Sequence, residues 1–167
     1  LDAAEENQKN LFTYLMPNVA QSQQQLSSVV AQANVLDTTT VNDLLKRKEI
    51  RALLPNELKY AKFLWNYKSN TSTDGTAELI ELYAIKGNRN DKPTIEGDVI
   101  LDAGQVFDQL NKPEVSMTMN SSGTKQWAKM TADNVGNFVA VVLDDYVYTA
   151  PSVNQAITGG RTSISGG

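Results

Sequence analysis

The side chains that usually carry out chemistry are sparse in this sequence, and their pattern narrows what the chain can do. It contains no histidine and no cysteine. The missing cysteine removes thiol nucleophiles, disulfides and zinc–thiolate sites. The missing histidine removes the usual general base near neutral pH and the commonest transition-metal ligand. Catalysis would have to rest on carboxylates, lysine or tyrosine. Asp144 and Asp145 are adjacent, and successive strand residues point to opposite faces, so a turn suits them better than a shared substrate atom. Glu78 and Glu81, three apart, would also face opposite sides of a strand. Asp98 and Asp102 would share a side but lie about 13 Å apart along it. A glycosidase needs two carboxyls within roughly 5 to 10 Å. The sequence therefore offers no catalytic residue, and it asks for no metal and no cofactor.

Glycine signals are equally bare. Residues 156–167, AITGGRTSISGG, hold glycine pairs but neither a dinucleotide fingerprint nor a P-loop. No serine occupies a G-x-S-x-G elbow, and no D-x-D-x-D-G calcium loop occurs. Asn70-Thr71-Ser72 and Asn120-Ser121-Ser122 match the glycosylation tripeptide and read as chance loop chemistry.

At 167 residues the chain has the size of one ordinary domain, and its 41% hydrophobic and 20% charged content is that of a globular protein. A net charge of −4 argues against nucleic acid as a partner, because phosphate binding needs clustered cations. The one basic cluster, Lys46, Arg47, Lys48 and Arg51, reads as a solvated helix face. No run reaches the roughly 20 apolar residues of a membrane span, the longest being Phe138 to Leu143. With its abrupt close at Gly166-Gly167, the sequence reads as a soluble fragment of something larger.

Residues 2–16 predict a helix with acidic residues in its first turn and Leu11, Tyr14 and Leu15 on one face, stopped by Pro17. Residues 18–28 are a polar loop or a helix extension. A strand is expected over 29–36. Asp37 or Thr38 to Thr40 would cap a helix over 41–47, and a second short helix follows over 49–54. Residues 59–67 and 77–86 predict a long hairpin around Asp74-Gly75. Tyr60, Phe63, Trp65 and Tyr67 fall on both sides of its first strand, as core, or with one side exposed. Val115, Met117 and Met119 alternate with polar residues as a half-buried strand. Asn120 or Ser121 caps a helix to about Val135, with Trp127, Ala128, Thr131 and Val135 on its buried face, and Gly136 ends it. FVAVVL then reads as a central strand, and YVYTAP returns antiparallel until Pro151. Strand, helix, strand, strand without a βαβ rhythm predicts an α+β fold, an antiparallel sheet of ferredoxin-like or αβ-sandwich style with helices packed on one face.

Residues 94–167 resemble the SecD family of protein-export subunits. The pattern runs through Gly97 to Ala103, then Pro113 to Met119. It continues through a helix with Gly123, Trp127, Ala128, Thr131, Asn134 and Gly136. It closes with Ala140 to Asp144, Val147 to Pro151 and Ile157 to Gly166. Residues 36–68 and 78–87 resemble, less strictly, the head insertion of fused SecDF proteins. Asp145 departs from the family, which usually has glycine in that turn, and the family's upstream L-D-L-x-G-G segment is absent.

The resemblance implies a non-enzymatic head of the first periplasmic domain of an inner-membrane protein. Residues 1–157 would form the head and 158–167 a return segment toward the base. Its implied partners are unfolded preprotein and, through the full-length protein, SecYEG and SecF, with the membrane reached only through segments absent here. Gly123, Trp127, Thr131, Asn134, Gly136, Asp144 and Pro151 would be structural family positions. Gly159, Gly160, Gly166 and Gly167 are candidate hinges or rigid turns needing positive φ. An envelope carboxylate hydrolase and a structural spacer are the other two readings. An exposed apolar patch would favour the binder over the spacer.

Overall fold

The computed structural model describes residues 10–18 and 27–165. The fold is α+β, with two sheets whose strand pairs run antiparallel except at one short parallel step. The chain divides into two compact units, one of residues 1–91 with 143–147, the other of 92–142 with 148–167.

In the first unit, α1 (Leu11–Tyr14) leads directly into β1 (Leu15–Pro17). The expected helix over 2–16 therefore ends early, and residues 2–9 lie outside the described ones. Pro17 closes a strand rather than a helix, a place it tolerates because β1 is at the sheet edge. β2 (Val29–Asn34) gives way to a 3₁₀ turn over Val35–Asp37. Asn34 makes that turn by accepting the Leu36 N–H at 2.9 Å, so the strand stops two residues before its expected end. α2 (Thr38–Lys46) starts at Thr38, three residues ahead of the expected Val41, and Asp37 makes no side-chain cap. α3 (Lys48–Ala52) follows.

β3 (Lys62–Thr71) and β4 (Glu78–Ile85) form the long hairpin. β3 begins and ends later than expected and takes up residues 68–71 of the segment read as turn. Between the pairs Trp65–Leu82 and Ser69–Ile80, three residues of β3 oppose the single Glu81 of β4, a bulge that absorbs the extra length. Asp74 builds the turn by accepting the Ser72 hydroxyl at 2.6 Å, the Thr76 hydroxyl at 2.7 Å and the Thr76 N–H at 3.1 Å. These donors hold its carboxyl down at about 2.

Ala31, Ala33, Val41, Leu45, Trp65 and Leu82 form the centre of this unit's core, so α2 packs its apolar stripe on the sheet. Trp65 satisfies its indole by donating to Asn42 Oδ1 at 3.0 Å. Phe63 packs against the same core, while Tyr60 and Tyr67 are exposed. Residues Tyr146 and Val147 of β8 (Tyr146–Thr149) add to β3 in parallel, and Val147 is fully buried.

Leu143 and Tyr146 flank the expected Asp144-Asp145 turn. Both aspartates hold positive φ, 50° and 62°, as a two-residue hairpin turn requires. FVAVVL is not a central strand. Only β7 (Val141–Leu143) is extended, at the end of the order β1-β2-β4-β3-β8-β7, and Val142 and Leu143 are exposed.

The second unit has a three-stranded sheet in the order β5 (Ile100–Phe107), β6 (Pro113–Met119), β9 (Arg161–Ser165). β5 has no counterpart in the expected elements. β6 is the expected alternating strand, and β9 is formed from the expected return segment. α4 (Ser121–Asp133) packs its Gly123 and Thr131 inward. Val135 lies beyond its end and is exposed, so the buried face is shorter than expected.

Candidate functional site

The second unit contains a cleft of about 320 Å³. One wall is α4, through Trp127 and Thr131. A second is the irregular segment around Val139, Pro151, Val153 and Ile157. The floor is β9, through Thr162 and Ile164. Among the described residues no Asp, Glu, Lys or Arg lines it.

The α4 wall is set from its first turn. Asn120 Oδ1 accepts the Gly123 N–H at 2.8 Å, a side-chain cap on a helix start. Gly123 must lack a side chain, because a Cβ there would sit 2.7 Å from Val99 Cβ and Cγ2. One turn above Trp127, Thr131 is 0% exposed. Its hydroxyl donates to Trp127 O at 2.8 Å and accepts the Ile157 N–H at 2.9 Å. One buried hydroxyl thus ties the helix to the loop that forms the opposite wall.

The rest of that wall is fixed by backbone. Asn134 Nδ2 donates to Met130 O at 2.8 Å, and Gly136 then takes φ +82°. The Gly136 N–H donates to Val153 O and the Val153 N–H to Asn137 O, both at 2.8 Å. Pro151, which cannot donate, accepts the Val139 N–H at 3.1 Å. Gly123, Trp127, Thr131, Asn134, Gly136 and Pro151 thus all shape or border the cleft. Asp144, at the hairpin turn of the other unit, does not.

Gly159 and Gly160 hold no positive φ. A Cβ at Gly159 would meet only Arg161 O, at 4.0 Å. A Cβ at Gly160 would meet Thr124 Oγ1 at 2.7 Å, and Gly160 O accepts the Met119 N–H at 2.7 Å. Gly160 is a close-approach position. Gly166 and Gly167 lie outside the described residues.

The cleft floor continues outward along the sheet. Ile164 pairs with Val115, and Val115 with Gln105, so these three share a face with Phe107 two residues on. Burial falls across that face from Ile164, which is buried, to Val115 at 47% and Phe107 at 60% exposed. The expected buried face of β6 is therefore buried only at Met119. Among the described residues β5 and β9 each have a partner strand on one edge only. Trp127 adds a polar feature, since its Nε1–H is buried with no acceptor among the described residues.

The carboxylates considered for catalysis have other surroundings. Glu81 accepts from the Tyr83 hydroxyl at 3.0 Å and from Asn66 Nδ2 at 2.9 Å, while Glu78 accepts from the Ser69 hydroxyl at 3.3 Å. Burial, helped by Glu81, pushes the Tyr83 hydroxyl up to about 12. Asp98 and Asp102 are exposed. Among the described residues no group of three His, Cys, Asp or Glu side chains could hold a metal ion, and no helix is long and apolar enough to cross a membrane. Sequence reasoning missed Ile157, Val153 and the β5 edge. The first two are placed by irregular backbone, which leaves no periodic signal.

The second unit is thus a small α+β module whose cleft, lined by apolar, hydroxyl and amide groups, lies beside the edges of a three-stranded sheet. The family model "SecDF, P1 head subdomain" matches residues 81–167. The chain belongs to this SecD/SecDF family of protein translocase subunits. It is 44% identical over 131 residues to protein translocase subunit SecD of Rhodothermus marinus, covering 78% of this chain and 20% of that protein. It is 43% identical over 89 residues to SecDF of Thermus thermophilus, covering 53% of this chain and 12% of that protein. Against SecD of Desulfurispirillum indicum it is 32% identical over 142 residues, 83% of this chain and 26% of that protein. The chain thus spans about a quarter or less of these relatives. A solved structure of SecDF, described as a membrane component that enhances protein export, aligns with a TM-score of 0.42 at 24% identity, covering 91% of this chain and 70% of that one.

Proposed function

We propose that this domain is a periplasmic, substrate-handling head of a SecD/SecDF export subunit that works by binding. In this reading it captures preprotein emerging from SecYEG and releases it during translocation driven by the proton-motive force. Residues 1–157 act as the head together with β9, whose pairing with β6 makes it the cleft floor, so no flexure is placed at Gly159. SecYEG and SecF are met through the rest of the full-length protein.

The observation that carries this reading is the continuous face from the cleft floor at Ile164 through Val115 to Phe107, bounded by the edge of β5 that has no partner strand among the described residues. An extended chain can add main-chain hydrogen bonds along such an edge while its apolar side chains use the face, with little regard for sequence. Leu101 and Leu110 add exposed apolar surface on the same hairpin, which a mere spacer would not need.

The test is photocrosslinking from benzoylphenylalanine placed at Val115, Phe107 or Ile157 in the full-length subunit, with a stalled export intermediate. Crosslinks to the intermediate at these positions, and none from the exposed Asp145, are expected. Equal labelling everywhere, or none at all three, overturns the reading.

A further inference from the structure

Residues 46–62 carry Lys46, Arg47, Lys48, Arg51, Lys59 and Lys62 against only Glu49 and Glu57, a net +4 in a chain whose total is −4. The rest of the chain therefore carries −8, so charge is segregated. The fold gathers these cations at one end of the first unit. Arg51 donates to Ala61 O at 2.6 Å and sits 5.3 Å from the Phe63 ring centroid, which holds α3 against the start of β3. Gly87 packs on Tyr60, because a Cβ there would collide with Tyr60 O, and this brings Lys86 and Arg89 to the same end. Lys62 is paired with Asp91 at 2.9 Å. Among the described residues Lys46, Arg47, Lys48, Lys59, Lys86 and Arg89 have no ion pair.

Two apolar side chains stand among these cations. Leu53, at the end of α3, is 83% exposed, and Tyr60, with Lys59 Nζ 5.7 Å from its ring centroid, is 45% exposed.

We propose that this end of the first unit docks on a bilayer surface of anionic phospholipid, with Lys46, Arg47, Lys48, Lys59 and Arg89 meeting headgroup phosphates and Leu53 and Tyr60 entering the headgroup–acyl boundary. Charge complementarity selects an anionic partner. The outward leucine and tyrosine select a membrane over an acidic polypeptide, since a bilayer interface takes up an aliphatic group and an amphipathic ring beside lysines. An acidic chain would use the cations and leave Leu53 in water. The contact is separate from the cleft, so loss of preprotein binding and loss of this docking are distinguishable.

The test is flotation of the 167-residue protein with vesicles of phosphatidylglycerol in phosphatidylethanolamine, and with vesicles of phosphatidylcholine alone. Binding to the anionic vesicles only is expected, and it should fall steeply with salt. Each surface cation contributes about fivefold, so K46Q/R47Q/K48Q should weaken binding on the order of 100-fold. Leu53→Ser should weaken it about fivefold with the charge unchanged. All four residues are exposed, and circular dichroism checks that the variants fold. No flotation, equal flotation with phosphatidylcholine, or indifference to the triple change overturns the proposal. Indifference to Leu53→Ser, together with equally tight binding of poly-glutamate, reassigns the surface to an acidic polypeptide and also overturns it.

Discussion

Replacing Thr131 by valine isolates a buried side-chain bond that ties the two walls of the cleft. The substitution conserves volume and β-branching at a fully buried site, so packing changes little. It removes the acceptor for the Ile157 N–H, now bonded at 2.9 Å, and valine brings no polar group of its own. A buried donor left without a partner costs about 1–3 kcal/mol. A loss of about 1.5 kcal/mol would lower the Tm of a chain this size by roughly 3–6 °C. Thr131→Ser is the complement: it keeps the hydroxyl and loses a buried methyl, costing about 0.5–1.5 kcal/mol. Amide hydrogen exchange separates the two. In the valine variant the Ile157 amide should exchange about tenfold faster, and in the serine variant it should keep its protection. If valine leaves that amide protected and the urea midpoint unmoved, the hydroxyl is not what holds the loop.

Gly160→Ala should destabilise by about 1–2 kcal/mol in urea unfolding, because its Cβ meets Thr124 Oγ1, whereas Gly159→Ala should be neutral or slightly stabilising. Asp145→Gly should raise the thermal midpoint by about 2–4 °C, relieving a non-glycine residue at φ 62°. Trp127→Phe trims the cleft-lining indole to a single ring and removes its partnerless N–H, so crosslinking to preprotein should fall about fivefold, with a loss of about 1 kcal/mol in urea unfolding. Carboxyl titration by NMR should place Asp74 at about 2, below its ordinary 3.8. Its turn contribution is thus present above the unfolded value and lost as pH falls through about 2, and Ser72→Ala should move the midpoint upward. Tyr83 lies the other way. Raised to about 12, it contributes stability below pH 10 that is lost as pH rises through 12, and ultraviolet titration should find it among the last tyrosines to ionise.

Where one face of an element is buried, the sequence announced it. The stripe of α4, the Asn120 cap, the Gly136 stop and the Asp144-Asp145 turn are each written in side-chain types and spacings that serve one local geometry. β5 was not legible because nearly every residue of ILDAGQVF is exposed, so no alternation marks it, and only its pairing with β6 makes it a strand. FVAVVL misled for the opposite reason. An unbroken apolar run resembles a central strand, but Phe138 and Val139 spend their backbone bonds on residues 151 and 152, and only Val141–Leu143 extend. The cleft shared both fates. Trp127 and Thr131 stood out in the helix stripe, while Val153 and Ile157 sit on irregular backbone whose position depends on a hydroxyl 26 residues away.

The parallel step between β3 and β8 sets an order of assembly. Val147, sealed in the first unit, comes some eighty residues after its neighbour Asn66. A chain delivered amino end first would present residues 1–91 with an open flank, and that flank would close only when residues 143–147 had followed the first fifty residues of the second unit. Loop closure over such a span is slow compared with hairpin formation. Maturation of the amino-terminal half is therefore timed by the arrival of the carboxy-terminal half.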